Sequence, residues 1–108
     1  MTTETMIQPK VTGYRQLTPE EAALMNEIKA LGPQIQAVCD KIATHIRAQR
    51  AACATSDAQA EDPGCAHLLA EQQRLDAAEP ERWLSWGRDG MQANLMYLTR
   101  AVAQPTSF

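Results

Sequence analysis

Tyr14, Arg15 and Lys29 set a phenol, a guanidinium and an ammonium around one helix start, within the segment GYRQLTPEEAALMNEIKALG of residues 13–32. A phenol offers a flat face for stacking, a guanidinium a planar hydrogen-bonding fork, and an ammonium a compact point charge. Together they suit a small anion that also carries a ring. The same residues have a plainer use, in which Tyr14 staples the preceding segment onto the helix and Lys29 is a solvated helical charge. Residue types alone leave both uses open.

The element that positions them begins at Thr18. Thr18 can cap, Pro19 suits the first helical position, and Glu21, three residues on from the cap, completes a capping box at the positive end of the dipole. Leu24, Ile28, Leu31, Ile35, Val38, Ile42 and His45 then recur at steps of four and three, in unbroken phase across Gly32-Pro33. One long helix over 18–50 is expected, with Pro33 bending it beside Lys29 because proline removes a hydrogen bond and crowds that carbonyl. Residues 1–17 hold Pro9 and Gly13 without periodicity and read as an extended arm.

Residues 51–79 form the connection. Their first half, AACATSDAQAEDPG, has loop composition, and Cys65 to Ala78 regains a weak helical spacing through Leu68, Leu69 and Leu75, which fits either a short accessory helix or an extension of the hairpin. Pro80 opens the second main helix, over 80–103, where Leu84, Gly87, Met91, Leu95, Leu98 and Val102 keep one face; residues 104–108 are a tail. The expected class is all-α: one domain, a helical hairpin of two long helices with an N-terminal arm.

A two-helix unit in a chain of 108 residues buries little apolar surface, so assembly into a symmetric homo-oligomer is expected. Aromatics are 5% of the chain, which leaves the apolar content to aliphatic and methionine side chains suited to helix-on-helix contact. The formal net charge of -3 argues against a DNA or RNA polymer as partner, since such binding needs a basic face that releases counterions. The start, MTTETMIQPK, lacks the pattern of a secretory signal, and no apolar run approaches the roughly 20 residues of a membrane span. A soluble intracellular protein with no membrane partner is the expectation. Three cysteines, Cys39, Cys53 and Cys65, are then read as reduced thiols.

Other chemistry finds no support in the spacing. No C-x-x-C or H-x-x-x-H pair accompanies Cys53, Cys65, His67, Cys39 or His45, so no metal site is expected. There is no glycine-rich phosphate loop, no serine triad signature and no suggestive carboxylate pair, and neither a cofactor nor catalysis is expected. Trp83 and Trp86, three apart, read as anchors of a core or subunit contact rather than as a stacking platform, and His45 as a hydrogen-bonded seam residue.

The arm and helix start, GYR-x-LT-x-EE followed by LMN-x-IK, together with the helix end LTRAVAQP, resemble the phage anti-CBASS cyclic-nucleotide sponges over about half the chain. The resemblance implies hexamers of helical hairpins in the cytoplasm of an infected bacterial host. They bind cyclic dinucleotides such as cGAMP in one type of pocket and cyclic trinucleotides in another, and release them undegraded. It implies that Tyr14 stacks on a base and Lys29 contacts phosphate, with Arg15 beside them. A ring of Arg88 or Arg100 around a three-fold axis would suit three phosphates, and surface ion pairing is the plain reading of both. Phe108 closes over a base or frays as a terminal residue. The segment from about Ala52 to Ala78 departs from a minimal hairpin connection. The reading that competes with sequestration is a helical oligomerisation or interaction protein with no small-molecule ligand.

Overall fold

The computed structural model describes residues 15–54 and 63–106, and these form three helices, α1 (Pro19–Ala54), α2 (Pro63–Ala78) and α3 (Pro80–Ala103). No strand occurs among the described residues. α1 begins as its capping chemistry dictates. The backbone N–H of Thr18 donates to Glu21 Oε1 at 2.8 Å and that of Glu21 to the Thr18 hydroxyl at 3.1 Å, which pairs two amides the helix cannot satisfy internally.

α1 continues as one helix through Gly32 and Pro33 and ends at Ala54, beyond the expected end at Arg50. The added turn has a packing reason: Cys53 is buried. α2, which occupies the second half of the connection, packs against α1. One residue, Glu79, separates α2 from α3. Its backbone is left-handed, at φ 52°, and its N–H closes α2 on the Leu75 carbonyl at 3.0 Å. For a residue with a Cβ that conformation costs about 1–2 kcal/mol, which the packing on either side of the turn must offset.

Side-chain pairing sets the direction of the long helices. Arg15 reaches Val102, Asp40 reaches Arg88 and Arg50 reaches Glu81, so α1 and α3 run antiparallel. Arg50 ties all three helices at one end. Its Nε and Nη2 fork onto the Glu81 carboxylate at 2.8 and 3.0 Å, and its Nη1 donates to Asp76 at 2.5 Å. These contacts raise the Arg50 pKa above its ordinary value and lower that of Glu81.

The packed interior is small. Cys39, Ile46, Cys53 and Leu75 are its buried apolar side chains among the described residues, and Leu75 is the most buried at 2% exposed. Leu75→Ala is expected to destabilise the chain by roughly 2–4 kcal/mol, read from the urea midpoint, because it opens a cavity where the core is least able to lose volume.

The phase of this interior corrects the expected seam. Cys39, Ile46 and Cys53 lie seven residues apart on a face about one position round from the predicted series, whereas Leu24, Leu31, Val38 and Ile42 stay exposed. Two antiparallel helices cover only a narrow stripe of each other, and the broad apolar arc of α1 exceeds it. The molecule is correspondingly extended, 75 × 34 × 19 Å with a radius of gyration of 23.4 Å, against about 13 Å for a compact domain of this length.

Candidate functional site

An open groove of about 590 Å³ runs between α1 and α3 at the end where α1 begins and α3 finishes. That volume falls in the ~300–1,000 Å³ range of small-molecule sites. α1 supplies Ile28, Lys29 and Gly32, which share one face by their spacing of three and four. α3 supplies Leu95, Met96, Tyr97, Thr99, Arg100 and Ala103, and Pro105 closes the end. At Gly32 a Cβ would meet no described atom of α3 within 4 Å, so the groove is open there.

The charge of the lining is one-sided. Among the described residues its ionisable cations are Lys29 and Arg100 and no carboxylate lines it, in a chain whose 13 Asp and Glu outnumber 10 Lys and Arg. Among the described residues Lys29 makes no salt bridge. Tyr97 stands 67% exposed beside them, its ring available as a flat face. The Thr99 hydroxyl donates to the Leu95 carbonyl at 2.9 Å, which leaves its oxygen lone pairs as acceptors toward the groove. Apolar walls, two cations and an aromatic ring are what an anionic ligand with rings requires.

Arg15 has a different placement. Its Nη1 and Nη2 fork onto the Glu21 carboxylate at 2.9 and 2.6 Å, and Nη2 also donates to the Val102 carbonyl at 2.8 Å and lies 3.4 Å from Gln104 Oε1. The Arg15 guanidinium, with the Thr18 amide, holds the Glu21 carboxyl down to about 2. A carboxylate whose pKa falls below its unfolded value near 4.5 adds stability that is complete above that value and is lost as pH drops toward 2. Titration of Glu21 by carboxyl-carbon NMR should therefore give a midpoint near 2, and Arg15→Ala should return it toward 4.5.

Arg88 lies mid-helix, away from that groove, and its Nη2 is 3.2 Å from Asp40 Oδ1 on α1. It borders a second, larger groove of about 870 Å³, lined by Leu31, Val38, Ile42 and His45 of α1, Leu75 of α2, and Trp83, Leu84 and Met91 of α3. Trp83 and Trp86 meet edge to face at 5.1 Å, with the Arg82 guanidinium 4.3 Å from the Trp86 ring centroid, and both indoles remain more than half exposed.

Of the six expected ligand residues, Lys29 and Arg100 come together in one groove. Arg15 is engaged at its rim, Arg88 is elsewhere, and Tyr14 and Phe108 lie outside the described residues. Sequence reasoning passed over Tyr97 and Thr99. The available signal was the three-residue step from Tyr97 to Arg100, which puts a ring and a guanidinium on neighbouring turns of one face.

Among the described residues no three His, Cys, Asp or Glu side chains gather as a metal cluster, and no helix is long and apolar enough to cross a membrane. No protein-family model matches the chain. It is 35% identical over 103 residues to a protein of Pseudomonas phage JBD67 named Anti-CBASS protein 2, an alignment covering 89% of this chain and 92% of that one.

Proposed function

Since the chain belongs to the anti-CBASS protein 2 family, we propose that it acts against CBASS immunity by sequestering cyclic oligonucleotide messengers in the host cytoplasm, without degrading them. One observation carries the reading: a groove that, among the described residues, holds two cations, an exposed tyrosine and no carboxylate, in a protein of net negative charge. A cyclic dinucleotide carries two phosphates and two bases, so Lys29 and Arg100 would meet phosphate while Tyr97, with Tyr14 from the arm, offers flat faces to the bases. Phe108 is assigned to the same ligand from the tail.

The protein functions as a symmetric homo-oligomer, a hexamer by likeness to the sponge proteins. The exposed stripe of Leu24, Leu31, Val38 and Ile42, and the half-exposed Trp83 and Trp86, support this reading, since so much apolar surface on so small a core is covered most simply by further copies of the chain. Two-fold symmetry would present Lys29 twice to a ligand of approximate two-fold symmetry. A three-fold axis would gather Arg88 for the three phosphates of a cyclic trinucleotide, once each Arg88 exchanges its Asp40 partner for ligand.

Sequestration works by mass action, so affinity replaces turnover. The test is to mix the protein with a panel of cyclic di- and trinucleotides, measure depletion of free ligand by filtration, then heat-denature the protein and chromatograph what is released. Intact recovered ligand supports sequestration and degraded ligand refutes it. No depletion moves the function to the second reading, an interaction protein, which the exposed apolar stripe favours. Trinucleotide capture left unchanged in Arg88→Ala at low salt would remove that residue from the site.

A further inference from the structure

Arg15 joins elements that are 87 residues apart in the chain, and it does so at the rim of the Lys29–Arg100 groove. On one side it forks onto Glu21 in the first turn of α1; on the other it donates to the Val102 carbonyl and approaches Gln104 Oε1, which flank Ala103, a wall residue of the groove. The connection continues into the wall itself. Gln104 is the left-handed cap of α3, at φ 51°, and its N–H donates to the carbonyl of Arg100 at 2.8 Å. A hydrogen-bonded path therefore runs from Glu21 through Arg15 and Gln104 to the backbone of Arg100.

Among the described residues, no side chain of the α1–α3 contact at this end is fully buried. The buried side chains Cys39, Ile46 and Cys53 lie in the middle and far parts of α1, and the Arg50 tie is at the opposite end. The two walls of the groove would separate readily without a fastening near residues 99–105. A guanidinium that meets a carboxylate, a carbonyl and an amide oxygen at once is suited to that task, because its planar donors are fixed relative to one another.

We propose that Arg15 is a positioning residue of the ligand site: it sets the separation of the α1 and α3 walls and the placement of Arg100, and its guanidinium does not itself bind phosphate. This rests on the sequestration reading above and adds to it a residue that acts through its neighbours.

The experiment uses the full-length protein and 3′,3′-cyclic GMP–AMP as probe, with Arg15→Ala, Arg15→Lys, Glu21→Gln and Gln104→Ala compared with the unaltered chain, and helicity followed at 222 nm. Glu21→Gln decides between the two roles, since it cuts the clasp from the far side while leaving the Arg15 charge in place. Arg15→Ala and Glu21→Gln should each weaken capture by roughly tenfold, the size expected for losing a charged hydrogen-bond pair. Gln104→Ala should cause a smaller loss, and Arg15→Lys should not restore capture, because an ammonium cannot fork. The dependence of affinity on salt should stay close to that of the unaltered protein in all four, since both groove cations, Lys29 and Arg100, remain in place.

Glu21→Gln that binds as well as or better than the unaltered protein, with Arg15→Ala weakened and its salt dependence reduced, would overturn the proposal in favour of direct phosphate contact. Unchanged capture in both Arg15→Ala and Glu21→Gln would overturn it as well, while leaving the site reading intact. Loss of capture that tracks loss of helicity in Arg15→Ala and Gln104→Ala alike would reduce Arg15 to a stability residue and overturn the positioning role. An unaltered protein that leaves the probe free would refute the site reading, and the Arg15 assignment with it.

Discussion

Lys29→Ala is expected to weaken capture of a cyclic dinucleotide by roughly a hundredfold, with helical content and assembly unchanged. Lys29 is exposed on α1, forms no salt bridge among the described residues and lines the groove, so its removal breaks no ion pair among those residues. A ligand phosphate would lose one of the two cations, Lys29 and Arg100, that line the groove among the described residues. The salt dependence of binding should fall with the affinity, which separates a phosphate contact from the clasp role of Arg15. Equilibrium dialysis against labelled ligand at two ionic strengths checks both quantities. Affinity within twofold of the unaltered protein would remove Lys29 from the site. Loss of helicity in the variant would instead show that the residue supports the fold.

Val38→Asp is expected to abolish assembly while leaving the isolated chain helical. Val38 is 55% exposed and belongs to the stripe with Leu24, Leu31 and Ile42, so the monomer gives up almost no buried contact on substitution. In an oligomer that buries the stripe, the same carboxylate would be taken out of water without a partner, at a cost of several kcal/mol per copy repeated at every symmetry-related site. Light scattering coupled to gel filtration should find the unaltered protein as a multiple of the chain mass and Val38→Asp at the single-chain mass. An unaltered protein that already runs at the single-chain mass would refute the assembly reading, and the exposed stripe would then need a different partner.

The two results would be linked if the ligand site is shared between copies. Val38→Asp would then lose ligand capture as well, although Val38 lies outside the Lys29–Arg100 groove. Retained capture by the single chain would place the whole site within one copy.

Local chemistry made part of this protein legible from its residues. The start of α1 could be read because Thr18 and Glu21 satisfy each other's backbone amides three residues apart, and the structure contains both bonds. The ends of α3 could be read because Pro80 fits a first helical position and Gln104-Pro105 cannot prolong a helix; α3 runs from Pro80 to Ala103. The all-α class could be read from alanine content and helical periodicity.

What the tertiary structure alone decided depends on residues far apart in the chain. The apolar arc of α1 reads the same from either side, and only contact with α3 and α2 selected Cys39, Ile46 and Cys53 for burial and left Leu24, Leu31, Val38 and Ile42 outside. α2 was faint because one of its leucines, Leu75, is fully buried while Leu69 is exposed, so its periodicity carries little amplitude. Arg15 could be read only as a cation beside Tyr14 at the helix start; its acceptors include Val102 and Gln104, which no local pattern connects to residue 15. Helix ends are set by hydrogen bonds within a few residues and so are written locally. Which face is covered, and which cations share a groove, is set by the antiparallel docking of α1 on α3, and that exists only once the chain has folded.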